Sequence, residues 1–169
     1  MLCVLCDTAE KQQIERINPL MKKVALMVVA VLALDVSAHG VNFDHDDDAV
    51  ALRQAHMHLI GTYFGEMGAM MKGKVSYDPV AFSEGSDRLA ALSGWSHEGF
   101  STKRLTDDSK SKPVIWEKKT DFDQKMKAFH KQALKLQEVI AKGDMGNIKG
   151  EFKATANACG SCHDVYKSK

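Results

Sequence analysis

Apolar residues recur along this chain at steps of three, four and seven, and no segment alternates with period two over the length of a strand. Steps of this kind put apolar side chains on one face of an α-helix. The first such segment runs from Ala49 to about Lys72, with Gly73 in the position that commonly ends a helix. Its apolar seam is formed by Val50, Met57, Ile60, Phe64, Met67 and Met71. The pattern predicts a long amphipathic first helix.

Three further helices are predicted downstream. Asp78 followed by Pro79 is typical of a helix start, and the apolar positions that follow it are Val80, Phe82, Leu89 and Leu92. A third helix is predicted from about Val114, with one side formed by Trp116, Phe122, Met126, Phe129, Ala133, Leu136 and Ile140. Asp144 is predicted to cap a fourth helix, in which the inward positions are Ile148, Phe152 and Thr155.

Residues 94–113 show no period and are predicted to form a long loop, with Trp95 and Phe100 packed against apolar surface. The other connections are short. Four helices joined in this way predict an all-α fold, an antiparallel four-helix bundle.

The chain ends in a motif with chemistry of its own, Cys159-Gly160-Ser161-Cys162-His163. This spacing is the one that attaches a c-type haem, since two sulfurs on one helical turn can add to the two vinyl groups of a porphyrin. The adjacent imidazole of His163 is placed to bind the iron. We therefore predict one covalent haem c per chain, attached through Cys159 and Cys162.

A cysteine pair of this spacing also occurs in zinc sites and in thiol redox motifs. Zinc takes four ligands, and the other two cysteines, Cys3 and Cys6, lie far upstream. Thiol redox motifs usually sit next to a strand-helix unit, which this region lacks. Both alternatives are weaker than the haem interpretation.

The N-terminal region predicts export. Residues 21–38 begin with Met21 and two lysines, continue with an apolar run from Val24 to Leu34, and end in small residues at Ala38. This order is typical of a secretory signal peptide, and the apolar run is too short for a permanent membrane span. Residues 1–20 are interpreted as an upstream extension, with Met21 as the true start. The predicted folded domain is residues 39–169.

Net charge and cysteine count limit the possible functions and the ways in which the fold can be stabilised. A formal net charge of +1 gives no basic field that would indicate nucleic-acid binding. Once residues 1–38 are removed, only the two cysteines of the motif remain, so no disulfide framework stabilises this small domain. A covalently held haem would supply apolar surface in its place.

Several segments together resemble the cytochromes c prime. In the first helix these are Arg53-Gln54, Met57, Phe64-Gly65 and Met71-Lys72-Gly73; the others are Pro113-Val114-Ile115-Trp116 and the C-terminal Cys159 to Lys167. The resemblance implies a periplasmic haem protein, usually a homodimer joined through its first two helices. It implies five-coordinate iron bound by His163, with Met57 shielding the distal face. It also implies that Arg53 and Gln54 contact a haem propionate and that Lys167, where arginine is common, flanks the proximal face.

The residues and the resemblance leave two functions open. In the favoured one, the iron binds small gases, nitric oxide and carbon monoxide, and can take part in electron transfer. In the alternative, Met57 is the second axial ligand of a six-coordinate low-spin electron carrier. A peroxidase would need a distal acid-base group, and His56 and His58 are each rotated by about 100° from Met57. We therefore expect no enzyme activity. The lysine-rich face of the third helix could steer an acidic redox partner.

Overall fold

The computed structural model describes residues 43–169. The predicted extension (residues 1–20), the predicted signal peptide (residues 21–38) and the first residues of the predicted domain lie outside this range. Within it the chain forms five helices and no strand: α1 (Asp46–Met71), α2 (Pro79–Trp95), α3 (Val114–Glu117), α4 (Lys119–Ala141) and α5 (Met145–Tyr166). None of them is long and apolar enough to cross a lipid bilayer.

The predicted helix ends agree closely with the structure. α1 begins with three acidic residues in its first turn, which favour the positive end of the helix dipole. Gly73 follows its C-terminus at φ +66°. Asp78 caps α2, because its Oδ1 accepts hydrogen bonds from the backbone N–H of Val80 (2.9 Å) and Ala81 (3.1 Å).

Asp144 caps α5 in the same way, accepting from the N–H groups of Gly146 (3.0 Å) and Asn147 (3.2 Å). The predicted third helix is interrupted. Lys118, at φ −116° and ψ 42°, separates the single turn of α3 from α4. The four long helices α1, α2, α4 and α5 form the predicted bundle.

Every neighbouring pair of long helices is antiparallel, as specific contacts show. His56 meets Leu92 while Met67 meets Gly85, so α1 and α2 run in opposite directions. The contacts Ser93–His130 and Asp87–Gln137 give the same result for α2 and α4. The contacts Asp121–Tyr166 and Gln132–Glu151 do so for α4 and α5. α1 and α5 meet through the stacked rings of Phe64 and Phe152, whose centroids are 4.3 Å apart.

The buried apolar side chains form two groups. The first, called the bundle core, receives residues from all four long helices: Ile60, Met67, Phe82, Leu89, Phe129, Ala133, Leu136, Ile140 and Ile148. The second, called the loop core, is built at the other end of the bundle by Phe100, Ile115, Phe122, Met126 and Tyr166. Its residues come from the long loop, from α3, and from one end each of α4 and α5.

The long loop, residues 96–113, is attached to the C-terminus of the chain. Lys112 N–H donates to the Tyr166 carbonyl (2.9 Å), and Ser168 N–H donates to the Lys110 carbonyl (2.8 Å). Between these bonds lies an isolated antiparallel bridge from Ser111 to Lys167. The loop is thus fixed to the turn of α5 that follows His163.

Two predictions of burial were wrong. Trp95 belongs to the last turn of α2, not to the loop, and it is 64% exposed. Val80 is 66% exposed, because it lies in the first turn of α2 outside the apolar face. Phe100 was predicted correctly, since it is buried in the loop core.

Candidate haem-binding site

A cavity of about 500 Å³ lies between the bundle core and the loop core. Its volume falls within the range of about 300–1,000 Å³ that is usual for cofactor sites. The walls are mostly apolar and come from α1, the long loop, α3, α4 and α5. The apolar lining residues are Val50, Met57, Ile60, Phe64, Phe100, Ile115, Phe122, Met126, Phe129 and Ala158.

One wall carries the whole C-terminal motif. Cys159, Cys162 and His163 all line the cavity from the last turns of α5. Cys159 packs against the bundle core and Cys162 against the loop core. The two sulfurs therefore lie where the cavity joins the two cores, on the common helical face that the i, i+3 spacing predicts.

The protonation states of the two cysteines and of His163 bear on the zinc and thiol redox interpretations of this motif. Burial raises the pKa of both cysteine thiols, whereas reactive redox cysteines have a lowered pKa. Among the described residues, no group of three or more His, Cys, Asp or Glu side chains is gathered to hold a metal ion, and zinc would need such a group. The cavity wall and Lys167 lower the pKa of His163, which favours the neutral imidazole that binds metals.

Met57 lines the same cavity from another helix, α1. Its side chain packs against both the bundle core and the loop core. Of the two histidines beside it, His56 contacts α2, as predicted, whereas His58 also lines the cavity. His56 Nε2 donates to the Leu92 carbonyl of α2 (2.8 Å), and His58 is exposed at the edge of the cavity. The side chain that faces the cavity here is therefore a flexible thioether.

Arg53 also lines the cavity, one turn before Met57, and is only 4% exposed. Its Nη1 donates to the Gly99 carbonyl (3.2 Å) and its Nη2 to the Arg104 carbonyl (2.6 Å). The guanidinium carbon lies 5.1 Å from the ring centroid of Phe100 and 5.6 Å from that of Trp116. This is cation–π geometry. Arg53 therefore fixes the start of the long loop against α1.

The contact between Arg53 and the loop requires a glycine. Gly99 has φ +77°, which other L-residues rarely adopt. A Cβ at this position would approach Arg53 Cγ to 3.0 Å and the Ala49 carbonyl oxygen to 3.2 Å. Further along the loop, Gln54 Nε2 donates to the Asp108 carbonyl (3.0 Å). Both residues predicted to contact a propionate thus also anchor the loop that closes the cavity.

The residues present fit a covalently held haem. Two thiols and an imidazole come from one helix, the Met57 thioether comes from another, and aromatic rings from several elements line the same cavity. The Nε of Arg53 is buried and has no hydrogen-bond partner among the described residues. A buried N–H of this kind is costly to leave unpaired, and a haem propionate could accept its hydrogen bond. The structure brings together all the predicted site residues: Arg53, Gln54, Met57, Cys159, Cys162 and His163.

Some lining residues were not predicted as part of the site. Ser109, Lys110 and Ser111 come from the aperiodic loop, where no local pattern marks them. Lys125 lies in the polar pattern of α4. Tyr166 could have been found, because it lies three residues after His163 and hence on a neighbouring helical face.

Comparisons with known proteins agree with this site. A sequence model of the family described as Cytochrome C' matches residues 48–167. Cytochrome c' from Alcaligenes xylosoxydans xylosoxydans is 30% identical over 127 residues, covering 75% of this chain and 98% of that protein. The solved cytochrome c prime from Shewanella frigidimarina is 44% identical, with a TM-score of 0.74, and covers 76% of this chain and 100% of that one.

A further solved structure has a bound gas in its description. It is the nitric oxide complex of a point mutant of cytochrome c prime from Alcaligenes xylosoxidans. The TM-score is 0.70 at 29% identity, and the match covers 76% of this chain and 99% of that one.

Proposed function

The chain belongs to the cytochrome c prime family, whose members carry covalently bound haem c, and we propose that it is a periplasmic protein that binds small gases. In this proposal Cys159 and Cys162 hold the haem, His163 is the protein ligand of the iron, and Met57 closes the opposite side. The haem, when bound, supplies an iron that takes diatomic gases and carries an electron. Nitric oxide and carbon monoxide are the proposed ligands.

The observation that carries the proposal is that Met57 of α1 lines the same cavity as the C-terminal motif of α5. The apolar side chains of Val50, Ile60 and Phe64 accompany it on α1. Arg53 and Gln54 of this helix face donate to carbonyls of the loop. The donor that remains unpaired among the described residues, the buried Arg53 Nε–H, would bind a haem propionate, so it would not be free to stabilise bound dioxygen. Nitric oxide and carbon monoxide are therefore favoured. The nitric oxide complex of the Alcaligenes xylosoxidans relative supports the same ligand class.

One feature favours the alternative function, an electron carrier with Met57 as second axial ligand. Met57 packs against both cores, so its thioether is held between them. A methionine sulfur is a known axial ligand that raises the reduction potential. In this case the iron would be low-spin, and a gas would have to displace the sulfur.

The proposal also covers the export of the protein, its oligomeric state and the question of enzyme activity. The basic, apolar and small-residue pattern of residues 21–38 supports export to the periplasm. Exposed apolar side chains on α1 and α2 support a homodimer through these helices: Leu59 (44%), Val80 (66%) and Trp95 (64%). We propose no enzyme activity, because a peroxidase needs an acid-base group beside the iron, and His58, the histidine of α1 that lines the cavity, is exposed at its edge.

The test of gas binding uses the haem-loaded protein. Paramagnetic resonance of the oxidised form distinguishes a high-spin iron with an open site from a low-spin iron bound by Met57. Titration of the reduced form with nitric oxide, followed by absorbance, then measures binding. Met57→Ala should speed nitric oxide association by about tenfold or more, because a bulky side chain no longer has to move aside. Absence of any spectral change on adding nitric oxide would falsify the proposal.

Met70→Ala is the matched control. Met70 is a partly buried methionine of the same helix that does not line the cavity. It should leave both the resonance spectrum and the association rate of the wild type unchanged. A low-spin signal that disappears in Met57→Ala but persists in Met70→Ala would favour the electron carrier.

Sedimentation velocity of wild type and Trp95→Lys tests the homodimer, which the lysine should weaken.

A further inference from the structure

The small net charge of the chain conceals a strong separation of charge. Residues 43–98, which contain α1 and α2, hold nine acidic and four basic residues. Residues 99–169, which contain the long loop, α3, α4 and α5, hold nine acidic and fifteen basic residues. The two halves nearly cancel, so composition alone indicates no field. In the folded bundle one pair of long helices is acidic and the other pair is basic.

The charged lining of the cavity comes mostly from the basic half. Its charged lining residues are Arg53, Lys110, Lys125 and Lys167, and no carboxylate lines it within the part of the chain that the structure describes. Arg53 is buried and bound to the loop. The other three come from the loop, from α4 and from the residue that follows α5, and we call them the lysine rim. Lys110 and Lys167 are exposed and Lys125 is half-buried, so an approaching molecule can reach them.

The lysine rim differs from the ion-paired lysines of the basic half. Lys119, Lys135 and Lys142 form ion pairs with Asp123, Glu151 and Glu138. Within residues 43–169, none of the rim lysines has a carboxylate within ion-pair distance. Their charge is therefore not neutralised locally, and it remains available to an anionic surface.

From these observations we propose that the lysine rim is the docking surface for an acidic electron-transfer protein, which approaches the haem edge through the mouth of the cavity. This inference rests on the proposed function, since it assumes a haem that exchanges electrons. A protein fits better than a phospholipid surface or a nucleic acid. The exposed Asp121 lies on α4 with Lys125, and the exposed Asp164 lies three residues before Lys167. A continuous phosphate surface would meet these carboxylates, whereas a folded partner can leave them unopposed.

Electrostatic docking has a measurable signature. Complementary charge raises association rates by about 10- to 1,000-fold at low salt, and the gain disappears as salt screens it. The screening length is about 10 Å at 0.1 M salt. Electron transfer from an acidic donor to this protein should therefore slow strongly with ionic strength.

The experiment uses the haem-loaded protein and a plant-type [2Fe–2S] ferredoxin, a strongly acidic donor, in stopped flow. Lys110→Glu/Lys125→Glu should lower the second-order rate of wild type about tenfold or more at low salt. Lys149→Glu/Lys153→Glu carries the same charge change on exposed residues of the basic half that do not line the cavity. This control should lower the rate by less than about threefold. Lys110→Arg/Lys125→Arg should keep the wild-type rate.

A small cationic reductant, hexaammineruthenium(II), separates docking from damage to the haem site. Its rate should be unchanged or higher in Lys110→Glu/Lys125→Glu. If that variant does not load haem, Lys110→Gln/Lys125→Gln replaces it, with a smaller expected loss. Equal losses in the rim and control variants would overturn the proposal, because the whole field and not the rim would then steer the donor. A rate independent of salt would overturn it too.

The same variants also test whether the lysine rim binds a lipid surface or a second copy of this chain instead. If the rim variant abolishes sedimentation with phosphatidylglycerol vesicles but leaves the ferredoxin rate unchanged, the rim binds a lipid surface and the proposal fails. If it abolishes assembly beyond a dimer with that rate unchanged, the rim binds the acidic half of a second copy, and the proposal also fails. Failure of the proposed gas binding would give a different result. The reduced protein would then show no spectral change with nitric oxide, while its rate of reduction by ferredoxin would still depend on salt.

Discussion

The two ends of the bundle are stabilised by different sets of contacts. In the bundle core, α1, α2, α4 and α5 all contribute buried side chains, and Phe82, Leu89 and Leu136 meet across it. In the loop core α2 contributes nothing, and α1 contributes only the partly buried Met57. The cavity lies beside the loop core, and α1 lines it while no residue of α2 does. One end is closed by the polypeptide alone, whereas the other is built to be closed by haem.

This difference explains where the irregular structure lies. Helices alone can close the bundle core, because amphipathic faces bury one another. The loop core needs Phe100 from the loop and Ile115 from the single turn of α3 to cover the ends of α4 and α5. These parts are held by long-range hydrogen bonds, from Arg53 to the loop and from the loop to the C-terminus. The haem end therefore depends on a few polar contacts, while the bundle core depends on packing.

The largest effects are expected from one phenylalanine in each core. Phe82 and Phe122 are 0% and 2% exposed. In the haem-loaded protein, Phe82→Ala and Phe122→Ala should each lower the free energy of unfolding by about 3–5 kcal/mol, the usual cost of such cavities. Urea unfolding measures the loss. Phe122→Ala alone should also change the absorption spectrum, since only Phe122 lines the cavity.

The haem-free variant Cys159→Ala/Cys162→Ala sharpens the comparison. In this background Phe82→Ala should keep its full effect, whereas Phe122→Ala should cost less than about 1 kcal/mol, because the surrounding site has already lost its closing surface. Equal losses for Phe122→Ala with and without haem would show that the loop core is stable by itself.

Arg53→Met should have the next largest effect. The variant keeps the length of the side chain but removes both hydrogen bonds to the loop and the cation–π contacts. Leaving buried carbonyl groups unpaired should lower the free energy of unfolding by about 2–4 kcal/mol. Trypsin should then cleave faster at the exposed Lys103 in the freed loop. The loss in Arg53→Lys, which retains a charged donor group, should lie between zero and the loss in Arg53→Met. An unchanged cleavage rate in Arg53→Met would indicate that Arg53 contacts only the haem and does not hold the loop.

Glycine substitutions compare the two ends directly. Gly99 and Gly143 both have positive φ, +77° and +72°. Gly143 lies in the short α4–α5 connection with open space around its Cα, whereas a Cβ at Gly99 would meet Arg53 and Ala49. Gly143→Ala should cost about 1 kcal/mol for the left-handed backbone. Gly99→Ala should cost about 1–3 kcal/mol more, because the neighbours must shift. Thermal unfolding of the two variants checks the order, which would be reversed if the loop adapts freely.

The smallest effect concerns alkaline pH. Burial and the hydrogen bond to Asp121 (2.5 Å) raise the pKa of Tyr166 to about 12, from an ordinary value of about 10. Because the folded state binds this proton more tightly, its contribution is fully present below pH 10 and is lost as the pH rises to about 12. Ultraviolet titration of tyrosinate in wild type and Tyr166→Phe checks it. A wild-type titration already complete near pH 10 would contradict the expectation.

Much of the fold could be predicted from the sequence because its signals are local. The caps Asp78 and Asp144 lie within three residues of the N–H groups they bind, and each helical face repeats every three or four residues. The haem motif is equally compact. The exposure of Trp95 could not be predicted, since a large apolar residue at the end of a helix carries no sign of which side remains uncovered.

The sequence by itself determined the four long helices, their ends, and the cysteines and histidine that make the site a candidate for haem. Only the tertiary structure decided that Arg53 and Gln54 hold the long loop, that this loop completes the loop core, and that the three lysines of the rim line one cavity. The physical reason is separation along the chain. The contacts of Arg53 and Gln54 join residues 46 to 54 positions apart, and an aperiodic loop contains no local pattern that specifies its partners.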